Sequence, residues 1–145
     1  VRTRVRSALR LTAVTPFASA AEVASRTGCA TSDLRELAEA GLLTLRGDAG
    51  GEEIPEEDVW VVEAWARLRE AGFAPELGFT PADLAIYGDA MKSLVRLEAR
   101  MFATRVGQLD PDAAGTLLDR GLPLINEFIT GLHTSRARQL LAAID

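Results

Sequence analysis

Ser19-Ala20-Ala21-Glu22-Val23-Ala24-Ser25-Arg26-Thr27-Gly28 is the stretch on which the reading of this chain turns. Ser19 and Glu22 stand in the S-x-x-E relationship, in which a hydroxyl and a carboxylate each take a backbone N–H orphaned at a helix start. A helix is therefore expected from Ala20, with Ala20, Val23 and Ala24 on one face. Gly28 supplies a turn that tolerates positive φ. Leu34 and Leu37 make the inward face of a second short helix, and Gly41 stops it. Further on, Leu42-Leu43-Thr44-Leu45 suits a short strand, 46–51 is rich in turn residues, and Glu52-Glu53-Ile54 suits a returning partner. Pro55-Glu56-Glu57-Asp58 opens a third helix carrying Val59, Trp60, Val62, Trp65 and Leu68. Residues 16–79 thus read as a winged helix-turn-helix with a small two-stranded wing.

On either side the pattern is helical, so the expected fold is mainly α. Val5, Ala8, Leu9 and Thr12 recur at helical spacing in a basic N-terminal helix or arm over 1–15, and Pro16 ends it. After a connector at 72–79, Thr80-Pro81-Ala82-Asp83 opens a long helix reaching Val106 or Gly107. Leu84, Tyr87, Met91, Leu94, Met101 and Phe102 trace a stripe along it. A fifth helix is expected from Asp110 to about Asp119, and a last one from Leu122-Pro123. Residues 80–145 form a helical lobe in this reading.

Glu22-Val23-Ala24-Ser25-Arg26-Thr27-Gly28, Leu34-Arg35, Ala40-Gly41-Leu42-Leu43, Glu56-Glu57-Asp58-Val59 and Leu68-Arg69-Glu70-Ala71-Gly72-Phe73 together resemble, in order and spacing, the MerR family of bacterial transcription regulators. The match covers about a third of the chain. It implies that the second helix enters the DNA major groove, that the wing grips phosphates, and that the long helix pairs two subunits through Leu84, Tyr87, Met91, Leu94, Met101 and Phe102. Carried onto this chain, the DNA-facing residues are Arg26, Thr31, Ser32, Arg35 and Arg46.

The departures bear on function. Glu36, Leu37 and Ala38 stand where the family usually has two tyrosines and a glutamate, Glu52 and Glu53 where its wing offers arginine and tyrosine, and Asp33 lies in the first turn of the would-be recognition helix. DNA affinity comes largely from Lys and Arg neutralising phosphates, so these carboxylates oppose the ligand. The expected role is therefore the dimerisation or effector-response portion of a MerR-like regulator. Two alternatives stay open: direct DNA binding by this winged helix, and a small-molecule domain whose pocket is built from Trp60, Trp65, Phe73, Phe79 and Tyr87 between the lobes.

Composition agrees with a globular protein: of 145 residues, 48% are hydrophobic and 26% charged, so neither disorder nor a membrane span is suggested. The net charge of −5 is uneven, with Arg2, Arg4, Arg6 and Arg10 at the start and acids crowding the middle. That basic run reads either as a nucleic-acid arm or as a solvated helix face. The single cysteine, Cys29, excludes an intrachain disulfide and fits the cytoplasm; it reads as a small buried hydrophobe. Without an initiating Met and with an abrupt start, the chain is expected to be a trimmed piece of a longer regulator. No nucleophile, phosphate-loop or metal-ligand spacing appears, so neither enzyme, cofactor nor metal is expected. His133 reads as a solvent-facing or capping residue. The acids Glu52, Glu53, Glu56, Glu57 and Asp58 suit a helix N-terminus more simply than a cation. Expected partners are a second copy, DNA contacted through an upstream domain or by this unit, and a small apolar effector; no membrane is expected.

Overall fold

The computed structural model describes residues 16–48 and 50–144; the expected N-terminal arm over 1–15 lies outside them. The chain is mainly helical with a small two-stranded antiparallel sheet. It divides into two compact units, whose described residues are 16–97 and 98–144.

The first unit begins with strand β1 (Phe17–Ser19), then α1 (Ala20–Thr27) and α2 (Thr31–Glu39). The Ser19 hydroxyl accepts the Glu22 N–H at 3.4 Å, and Gly28 turns the chain at φ 75°. Strand β2 (Glu53–Pro55), a 3-10 turn at Glu56–Asp58 and α3 (Val59–Ala71) follow. Their inward faces make one core. Ala20, Val23 and Ala24 of α1 meet Leu34 and Leu37 of α2, Leu43, Ile54, and Val59, Val61, Val62 and Trp65 of α3. Full burial of each large apolar side chain stabilises by about 1.5–3 kcal/mol, so this cluster holds the unit together. Cys29 is half-buried against it.

The sheet differs from the expected wing. β2 pairs with β1, in the register Phe17↔Pro55, Ala18↔Ile54 and Ser19↔Glu53; the 42–46 segment meets it only through one bridge, Arg46↔Glu53. Hydrogen-bond supply explains the exchange. The Thr44 N–H is taken by Asp58 Oδ2 at 3.0 Å, which holds 42–45 to the start of α3 and removes a ladder donor. Pro16 keeps the chain before α1 extended, and its carbonyl accepts the Glu56 N–H at 2.9 Å while Glu52 accepts from Ala20 at 2.9 Å. The ladder therefore continues past both ends of β1.

A 3-10 turn at Pro81–Leu84, its Thr80 N–H donated to Asp83 Oδ2 at 2.8 Å, leads into α4 (Ala85–Arg105). Within the first unit α4 passes close to the loop after α2: a Cβ on Gly88 would stand 2.7 Å from Leu42 Cδ2. Glycine is what permits that approach.

The second unit contains the end of α4 and the helix α5 (Pro111–Ala142), capped by Asp110, whose carboxylate accepts the Ala113 N–H at 2.9 Å. The two helices expected on either side of 119–122 are one, with Pro123 inside. A proline forfeits one helical hydrogen bond, here to the Asp119 carbonyl. Asp119 is exposed, so solvent can take that acceptor. Leu118, Leu122 and Ile125 keep an i, i+4, i+7 face running across the proline. Leu118 is the buried member of that face. No helix among the described residues is long and apolar enough to cross a membrane.

Candidate nucleic-acid interface

With Leu34 and Leu37 buried, helical spacing puts Thr31, Ser32 and Arg35 on the solvent side of α2. The resemblance would set a duplex on this surface. Its one arginine is engaged. Arg35 donates to Glu52 Oε1 from Nε at 3.0 Å and from Nη2 at 2.8 Å. That hydrogen bond, and then the negative charge of Glu52, push the Arg35 pKa above its ordinary value, slightly opposed by desolvation. Glu52 is held there by the backbone, because its carbonyl caps α1 at Ala20.

Arg46 is engaged more fully still. Its backbone exchanges two hydrogen bonds with Glu53, at 3.1 and 2.8 Å, its guanidinium donates to Glu53 Oε2 at 2.9 Å, and its Cζ lies 3.3 Å from the centroid of the Phe17 ring. A guanidinium stacked on an aromatic face and paired at its edge keeps N–H groups towards solvent, but its charge is already offset by the Glu53 carboxylate, which weakens its pull on a phosphate. Arg26, in the last turn of α1, is exposed and has no ion-pair partner among the described residues.

The acids have structural work. Asp33 accepts the Ala30 N–H at 3.0 Å, closing the start of α2, and lies 3.5 Å from Arg69 of α3. Asp58 holds Thr44. The charges expected to repel DNA thus act first on the protein's own cations: Glu52 on Arg35, Glu53 on Arg46, Asp33 on Arg69. Sequence reasoning did not reach these pairs, nor the part played by Phe17. Arg35 and Glu52 stand 17 positions apart, and only the β1–β2 pairing carries Glu52 to α2. Among the described residues no group of three or more His, Cys, Asp or Glu side chains is arranged to hold a metal ion, and His133 is exposed on α5.

The aromatic residues differ in burial. Trp65 is buried at 2% exposure and Trp60, on the opposite face of α3, is 66% exposed. Phe73 and Phe79 meet edge to face at 5.2 Å, with Phe79 against the core, and Tyr87 is exposed on α4. These side chains divide between the core and the surface.

The expected dimerisation residues behave in two ways. Leu84 packs against the core of the first unit, whereas Tyr87 and Met91 are exposed and Leu94 is half-buried. Met101 and Phe102 line a groove of about 240 Å³ with Leu118, Leu122 and Ile125 of α5. Ile86, Val95 and Leu97 add exposed apolar surface to α4. Comparison with protein-family models, with curated proteins and with solved structures finds no match for this chain.

Proposed function

We propose that the chain is the dimerisation or effector-response portion of a MerR-like transcription regulator, with a winged-helix unit that does not itself grip DNA. The observation that carries this reading is the pairing of Arg35 with Glu52 and of Arg46 with Glu53, at positions where the resemblance calls for phosphate contacts. Non-specific DNA affinity depends on cations free to displace counterions, and of the three arginines to which the resemblance points, two are paired with carboxylates of the protein itself. The remaining one, Arg26, supplies a single contact. Such a regulator works in the cytoplasm as a homodimer, and the exposed apolar residues of α4 around Met91 are the surface a second copy would cover.

Fluorescence anisotropy of a labelled random duplex, titrated with this chain at low salt, tests the reading. No binding up to tens of micromolar is expected. Saturable binding that weakens steeply with salt would overturn it in favour of direct DNA recognition.

A further inference from the structure

We propose that the outward face of α5 docks a second copy of this chain, the two helices lying antiparallel about a twofold axis near Leu122 and Pro123. The helix carries two apolar seams. Leu118, Leu122 and Ile125 share a groove with Met101 and Phe102 of α4. One position round, Ala114, Leu117, Gly121, Leu124, Phe128 and Gly131 recur at spacings of three and four, the heptad pattern by which one helix seats against another. Among the described residues this second seam stands open: Leu117, Leu124 and Phe128 are 51%, 63% and 67% exposed. All six residues belong to the second unit, so the inference is independent of the winged helix and of the α4 contact proposed above.

Charge decides what covers the seam. Arg120 and Glu127 flank it on one side, both exposed and without an ion-pair partner among the described residues. Seven positions set them about 10 Å apart along the helix, beyond the three- or four-residue spacing at which ion pairs form within one. In a twofold pair, residue i meets j and j meets i. Setting Arg120 of one copy beside Glu127 of the other therefore forms two identical bridges and fixes the register. That register lays Leu117 on Phe128 of the other copy and Leu124 over its Gly121, where no neighbouring atom lies within 4 Å of the position a Cβ would take. At either end it brings the small residues Ala114 and Gly131 together. One arrangement thus satisfies both charges and gives each large side chain a seat. A single helix pair about 25 Å long falls at or below the roughly 1,200 Å² of total buried surface at which stable complexes begin. The association is accordingly weak, with a Kd on the order of 0.1 mM.

Sedimentation equilibrium of the full chain carrying Met91→Glu, which breaks the proposed α4 contact, reads this seam by itself. Self-association is expected below about 1 mM, ten times the expected Kd, and should loosen as salt is added. Arg120→Glu and Glu127→Arg, each added singly to that parent, should weaken it about tenfold at low salt, because each sets like charges face to face at both bridges. An equimolar mixture of the two variants should associate at least as tightly as the parent, each chain supplying the charge the other lacks. A role for these residues within one chain gives no gain on mixing. Leu124→Glu should abolish association, while Leu140→Glu, at a position 69% exposed on another face of α5, should leave it unchanged; circular dichroism checks that each variant keeps its helix. A parent that stays monomeric at 1 mM, again about ten times the expected Kd, would overturn the proposal, as would a mixture no tighter than either variant alone. Should Leu124→Glu not fold, the mixing experiment decides alone. With Met91→Glu as the starting point, failure of the α4 dimer and failure of this seam are read separately.

Discussion

The Arg35 guanidinium gives two of its N–H groups to a single oxygen of Glu52, at 3.0 and 2.8 Å, across the joint between α2 and the start of β2. Glu52 is the more enclosed partner, its side chain 17% exposed against 49% for Arg35. The carboxylate is thus fixed by the fold and the arginine folds over to reach it, so that its positive charge is offset before a phosphate could use it.

Removing those neutralising carboxylates should expose a latent affinity. Glu52→Gln with Glu53→Gln is expected to produce weak, sequence-independent binding to duplex DNA where wild type has none. Replacing both with Arg should strengthen it, each phosphate contact steepening the slope of log affinity against log salt by about 0.9. Anisotropy titrations at several salt concentrations read both quantities. Variants as inert as wild type would mean that this face does not present itself to a duplex.

The raised Arg35 pKa carries its own expectation. A base whose pKa is raised on folding contributes stability that is present below its unfolded pKa and lost only as pH rises through the folded one. For arginine that window lies beyond the working range. Titration of Arg35 should therefore leave no step in stability between about pH 6 and 9, and an Arg35→Lys variant that introduced one in urea unfolding would contradict this account.

The turn before β2 offers a backbone test. Gly47 has φ 95°, and a Cβ there would lie 2.8 Å from the Gly51 carbonyl oxygen, a backbone atom that cannot rotate away. Gly47→Ala should destabilise by about 1–3 kcal/mol and loosen the Arg46–Glu53 bridge. Gly51→Ala, in the same turn with its Cβ 3.8 Å from the Asp48 oxygen, should stay within about 0.5 kcal/mol of wild type. Thermal unfolding of the two variants separates them.

Core and surface leucines should differ sharply. Leu34 is fully buried in the first unit and Leu124 is 63% exposed on α5. Leu34→Ala should cost about 2–5 kcal/mol, and Leu124→Ala less than about 0.5 kcal/mol, both read from urea midpoints at constant slope. A large loss at Leu124 would mean that something covers this side of α5 in solution.

The proposed homodimer rests on α4. Met91 is 44% exposed, so the monomer should accept a glutamate there. In a subunit seam the same charge would be buried without a partner, which is costly. Met91→Glu should sediment as a monomer at concentrations where wild type is a dimer, with helical circular dichroism unchanged. A monomeric wild type at tens of micromolar would remove the basis for the dimer.

Local chemistry along the chain sufficed for much of this protein. The cap at Ser19, the turn at Gly28, the stop at Gly41 and the inward faces of Val23, Leu34, Leu37 and Val62 depend on spacings of three and four residues, which a helix imposes by itself. The mainly helical character and the long helix after Pro81 follow from the same periodicity. Tertiary structure alone decided the rest. Which strand Glu53–Pro55 would join depended on a donor at Thr44 being claimed by Asp58, a contact between residues 14 positions apart. Whether the helix would continue through Pro123 depended on its surface position beside the exposed Asp119 and on an apolar face that continues beyond it. The carboxylates at 52 and 53 are visible in the sequence as charges, but their targets are not: charge acts through distance in space, and the sheet, not the sequence separation, sets that distance.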